Sequence, residues 1–132
     1  MPPVSHAASR STESFEQRRS VRKALAKNAN LKVADPKAAV AAAEMVFLAT
    51  PFEAGAEALK AVAAELAGKV LVDCTNPVGP GLRHGLQSLQ SGTEMLQGLV
   101  PQTEVVKAFT IYGFENFEDN AYPEYNVKPV MM

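Results

Sequence analysis

The chain is poor in the residues that several classes of protein depend on. It holds one cysteine, Cys74, among 132 residues, so no internal disulfide framework can form. Its two histidines, His6 and His84, stand far apart with no third ligand in view, which argues against a zinc site. Neither sign of charge dominates. Thirteen basic residues against fourteen acidic ones exclude a dedicated nucleic-acid wrapper and a polybasic membrane binder. The longest apolar stretch, Ala38–Ala43, is ended by Glu44 and is far shorter than the ~20 residues a bilayer requires. The opening MPPVSHAASR has no basic segment followed by an apolar one, so it is not a secretory signal. Glu13 and Glu16 come too early for a transit peptide. These absences point to a reducing, cytoplasmic setting, with no metal, nucleic acid or membrane as partner.

What is present suits a globular protein. Apolar residues make up 47% and charged ones 20%, enough to bury a core. The length has room for one domain, expected over 1–132 with 1–8 as an irregular start.

Helical and strand patterns alternate along the chain. Residues 14–28 open with Ser14 and carry Gln17 three positions on, a capping-box spelling, ahead of a narrow apolar stripe and a basic face. Leu31–Ala34 reads as a short strand. Asp35-Pro36 then starts a helix over 37–43, because proline at the first helical position lacks only an N–H that would be unpaired anyway. Met45–Ala49 is a continuous apolar run, the pattern of a strand buried on both faces. Thr50, Pro51 and Glu53 spell a second capping box for a helix over Phe52–Leu66, stopped by Gly68. Lys69–Asp73 is the next buried strand, and Cys74–Gly85, rich in Gly and Pro, is an irregular loop. Ser91 and Glu94 cap a third helix, Glu104–Phe109 forms another strand, and Asn126–Met132 a fourth. Strand and helix at this short spacing define a doubly wound, mainly parallel α/β sheet, whose ligands sit at the carboxyl ends of the strands.

Three segments lie at such ends: Ala49–Pro51, Asp73–Pro77 and Lys107–Thr110. Their small side chains and backbone N–H groups suit a cofactor crevice, while singly each also reads as a cap or a turn. The basic run Arg18–Lys27 reads as a solvated face; with no aromatic platform beside it, RNA contact is a weak alternative. Arg10, flanked by Ser9 and Ser11 just ahead of the helix, could take a phosphate through its fork geometry. Cys74 ends a buried strand with no basic neighbour in sequence to activate it, so it reads as inert core. Asp73 reads as a loop-fixing acceptor of backbone N–H bonds rather than a general base.

In order and spacing, FLATPFEA, GKVLVDCTNPVGPGL, the SGTE helix start and VVKAFT resemble the deazaflavin (coenzyme F-420)-dependent NADP reductases, over about residues 9 to 132. The resemblance implies a Rossmann fold, NADP as cofactor, and hydride transfer to a small-molecule acceptor such as a deazaflavin. It implies that Ser9 and Arg10 receive the 2′-phosphate of NADP. It also implies that Thr50, Pro51, Asn76 and Pro77 run beside the nicotinamide half, and that Phe109 and Thr110 meet the acceptor. Full-length members would form a homodimer. No side-chain nucleophile or acid–base pair is needed for such chemistry, so no catalytic residue is assigned.

Two departures from the family pattern stand out. Thr110 occupies a position where members usually carry Asn, and no G-x-G-x-x-G occurs anywhere in the chain. The first strand, its glycine turn and its helix are therefore expected to be missing, and the sequence reads as a partial NADP-binding domain. The alternative is a non-catalytic remnant or interaction module that keeps the sheet without competent cofactor binding.

Overall fold

A computed structural model describes residues 19–79, 86, 87, 89–111, 121, 124 and 125. The chain divides into two compact units, Met1–Ala42 and Ala43–Met132. Among the described residues the first contributes two helices, α1 (Arg19–Lys27) and α2 (Pro36–Ala42). Asp35 caps α2 as its sequence requires, its Oδ1 accepting from the N–H groups of Lys37 and Ala38 at 3.0 and 3.3 Å. The strand expected over Leu31–Ala34 does not form. A strand persists only where neighbours take its backbone groups, and no described strand pairs with this segment. Residues 14–18 and 126–132, which carry the expected Ser14 cap and fourth strand, lie outside the described residues.

The second unit runs β1 (Met45–Leu48), α3 (Phe52–Ala61), α4 (Ala63–Leu66), β2 (Val70–Asp73), α5 (Gly92–Leu99) and β3 (Glu104–Lys107). The strands form a parallel sheet in the order β1-β2-β3, as the alternation of patterns implied, in the Rossmann-like α/β arrangement that the family resemblance implied. Leu48, Asp73 and Lys107 share one register row, so the three strands end together. That alignment gathers the three candidate segments at one edge.

Side chains alternate across a strand with period two. Leu48, Leu71 and Asp73 fall on the buried face, beneath α3 and α5. A Cβ on Gly55 of α3 would meet the side chains of Leu48 and Leu96, and Thr93 of α5 bonds Asp73. The opposite face carries Met45, Phe47 and Val106, which are 50, 56 and 50% exposed. β1 is therefore not buried on both faces, contrary to its uninterrupted apolar spelling, because among the described helices of this unit α3 and α5 lie on the same side.

The helix expected over Phe52–Leu66 breaks at Val62, whose φ of −125° leaves helical geometry. Its N–H bonds Leu59 only three residues back, and its side chain goes into the core. Gly68 stops the segment with φ +73°, a conformation that costs glycine nothing. At α5 the expected capping box is present: Ser91 Oγ accepts from Glu94 N–H at 3.1 Å, and Ser91 N–H donates to Glu94 Oε2 at 2.7 Å. No described helix is long and apolar enough to cross a membrane.

Candidate functional site

The aligned strand ends leave a cleft of about 420 Å³ between the segments that follow β1 and β2. That volume lies within the range of small-molecule sites. Its walls include Thr50, Pro51 and Phe52 on one side and Cys74, Thr75 and Asn76 on the other.

Thr50 does not cap α3 as its sequence context suggests. The N-cap position falls one residue later, on Pro51, which has no hydroxyl, and no described side chain caps this helix. Displaced from that role, Thr50 Oγ1 is buried without a hydrogen-bond partner among the described residues. A buried hydroxyl left unpaired costs about 1–3 kcal/mol, and Thr50 belongs to the cleft wall.

The other wall is held by Asp73. Its side chain is fully buried, and four donors satisfy its two oxygens. Oδ1 accepts from Thr75 N–H at 2.8 Å and Thr75 Oγ1 at 2.7 Å. Oδ2 accepts from Thr93 Oγ1 at 2.8 Å and Lys107 Nζ at 3.0 Å. Burial raises the pKa of this carboxyl, but the bonds from Thr75, Thr93 and Lys107 together outweigh it, and the net shift is downward. Asp73 stays ionised and fully engaged, a fastener between β2, β3 and α5. Lys107 Nζ also donates to the Thr75 carbonyl. Cys74, half-buried, has its thiol pushed up by burial and by the charge of Asp73, with Lys107 pulling weakly the other way. It remains protonated at neutral pH, as an inert thiol should.

The structure brings Thr50, Pro51 and Asn76 together at the cleft. Pro77 sits beside it, against the start of α5: a Cβ on Gly92 would lie 3.4 Å from Pro77 Cδ and 2.9 Å from the Phe52 ring. Thr110 reaches the cleft wall through its carbonyl, which accepts from Asn76 Nδ2 at 3.4 Å. Phe109 is placed differently. Its backbone is left-handed, with φ 62°, and its ring leans on Phe47 with centroids 6.2 Å apart, on the exposed side of the sheet rather than in the cleft wall. Ser9, Arg10, His6 and His84 lie outside the described residues. Sequence reading placed Lys107 in a strand-end segment but gave its side chain no role, and it missed Thr93. Strand-end position was the available signal for Lys107; the hydroxyl of Thr93 carried none.

A parallel sheet with a cleft at its carboxyl ends belongs to the Rossmann-like class of nucleotide-binding folds. The family model of coenzyme F420-dependent NADP oxidoreductases matches residues 5–77, just over half of the chain, and the chain belongs to that family. It is 41% identical over 73 residues to metalloreductase STEAP3 of Rattus norvegicus, a match that covers 55% of this chain and 14% of that protein. Among solved structures it is similar to a protein assigned as an F420-dependent NADP reductase from Arthrobacter sp. FB24. The TM-score there is 0.73 at 27% identity, over 81% of this chain and 51% of that one. It is also similar to the hypothetical protein SMa0349 of Sinorhizobium meliloti, with a TM-score of 0.67 at 26% identity, over 89% of this chain and 54% of that one. The chain thus spans about half the length of these structures and a small part of the metalloreductase.

Proposed function

We propose that the cleft holds the nicotinamide half of NADP(H), and that the chain serves hydride transfer between NADPH and a small-molecule acceptor. The observation that carries this reading is the buried, unpartnered Thr50 hydroxyl in the cleft wall. The matched proteins support it from another side. Their names point to different acceptors, F420 in one case and a metal in the other, while family membership supplies NADP as the common element.

Bound in the cleft, the cofactor supplies the hydride chemistry, and the residues of this chain have to bind and orient it. Thr50 Oγ1 offers a hydrogen bond to the ligand, Pro51 and Val78 give the cleft apolar walls, and Asn76 holds its wall against the β3 segment through Thr110. Cys74 is a protonated thiol and Asp73 is spent on its four donors, so neither is a base or nucleophile. Positioning is the kind of catalysis this arrangement can give. In the same reading Ser9 and Arg10 take the 2′-phosphate.

Thr50→Val tests the proposal because it moves two quantities in opposite directions. Removing an orphaned hydroxyl at constant shape raises the melting temperature, while losing a ligand bond weakens NADPH by up to about tenfold. Calorimetric titration and thermal melting read both. Unchanged NADPH affinity in Thr50→Val, or no NADPH binding by the wild-type chain, would favour a non-catalytic module.

A further inference from the structure

Thr75 is gripped at three atoms. Its N–H and hydroxyl go to Asp73, and its carbonyl accepts from Lys107 Nζ. That carbonyl belongs to the peptide joining Thr75 to Asn76, which is planar and trans. In a trans peptide the N–H points opposite to the C=O, so the bond from Lys107 fixes where the Asn76 N–H is aimed, away from the Lys107 ammonium. Asn76 uses its carbonyl for Val78 N–H and its side-chain amide for the Thr110 carbonyl. Its own N–H meets no acceptor among the described residues, and Asn76 lines the cleft.

We infer that Lys107 is a positioning residue for the cleft: anchored by Asp73, it holds the Thr75–Asn76 peptide so that the Asn76 N–H is presented to an acceptor oxygen of the bound nucleotide. This rests on the reading of the cleft as the NADP(H) site. It adds a main-chain donor on the β2 side to the Thr50 hydroxyl on the β1 side, so that a ligand between them is held from both walls. The donor is preorganised by a residue on a third strand, and binding need not reorient it. Lys107 touches no ligand itself. Its side chain is 36% exposed, and removing it leaves the buried Asp73 carboxylate three of its four donors, from Thr75 and Thr93, so the fold can survive.

The test uses the isotope-labelled chain, following the Asn76 amide resonance by NMR as NADPH is added. The wild-type resonance should move saturably. In Lys107→Met the peptide is free to turn, so the Asn76 resonance should shift before any ligand is added, and NADPH should bind up to about tenfold more weakly, the worth of one hydrogen bond. Lys107→Arg, which can still donate to both Asp73 and Thr75, should restore the wild-type dissociation constant to within about twofold. Lys107→Gln keeps a donor for the Thr75 carbonyl and should fall between them, which preserves the comparison if the methionine variant does not fold. Val100→Ala, a core truncation away from the cleft, should lower the melting temperature and leave the dissociation constant alone. Wild-type affinity in Lys107→Met or Lys107→Gln overturns the inference, as does equal weakening in Val100→Ala. Absence of any wild-type NADPH response would instead remove the cofactor reading on which the inference stands.

Discussion

Replacing Asp73 with Asn should be among the most damaging conservative changes in the chain. The carboxylate is fully buried, so desolvation alone argues that a neutral amide would be better tolerated. The downward pKa shift shows that the donors win: the site favours the charged form over the neutral one. In the amide one oxygen becomes an NH2 group, and Lys107 Nζ, which can only donate, loses its partner on Asp73. That bond to a charged group is worth about 1.5–3 kcal/mol, reduced because Lys107 is partly hydrated. The Thr93 hydroxyl, which donates to that same oxygen, has to turn and accept instead, and the two bonds from Thr75 weaken by about half as the charge disappears. The sum is a loss of about 3 kcal/mol, a large share of the ~5–15 kcal/mol that holds a domain together, and a fall in melting temperature of roughly 10 °C. Urea unfolding followed by circular dichroism measures it. The pH dependence carries a sign as well. A carboxyl whose folded pKa lies below its ordinary 3.8 stabilises the fold above pH 3.8, and that contribution disappears as pH falls through the folded value. The gap between wild type and Asp73→Asn should therefore be full at neutral pH and close in acid below 3.8. A variant within about 1 kcal/mol of wild type at pH 7, or a gap that widens in acid, would refute the reasoning.

Two glycines of similar appearance should respond in opposite ways. A Cβ on Gly92 would lie 2.9 Å from the Phe52 ring, so Gly92→Ala should destabilise by about 1–2 kcal/mol in denaturant unfolding. At Gly55 the nearest atoms are 3.5 Å or more away, and Gly55→Ala inside α3 should gain up to about 1 kcal/mol by the same measurement. Cys74 should react with a disulfide reagent at pH 7 more slowly than the same chain does in urea, since burial and Asp73 hold the thiol protonated; equal rates would contradict that placement. Arg10→Ala should weaken NADPH by about 1.5–3 kcal/mol and leave NADH unchanged, and equal losses for both nucleotides would end the 2′-phosphate assignment.

Elements with a local chemical signature were legible in the sequence. Asp35-Pro36, the Ser91–Glu94 box, Gly68 and the β2 run each act within a few residues, and each produced the expected element. Features that depend on distant partners were not. Leu31–Ala34 needed a neighbouring strand, and the apolar spelling of β1 could not reveal that its described helices pack on one side only. The Thr50 capping box failed because Pro51 takes the N-cap position, a shift of one residue that periodicity cannot resolve. Strand-end position singled out the segments that hold Thr50, Pro51 and Asn76, and these three residues line the cleft. The Asp73–Lys107 pair joins residues 34 apart, and only the register of β2 with β3 brings them together.

The most direct test of the cofactor reading is a crystal structure of the chain grown with saturating NADP⁺. The account predicts the nicotinamide half between the ends of β1 and β2, with a polar atom within about 3 Å of Thr50 Oγ1 and another facing the Asn76 N–H. A nucleotide bound elsewhere, with the Thr50 hydroxyl still unpaired, would contradict it.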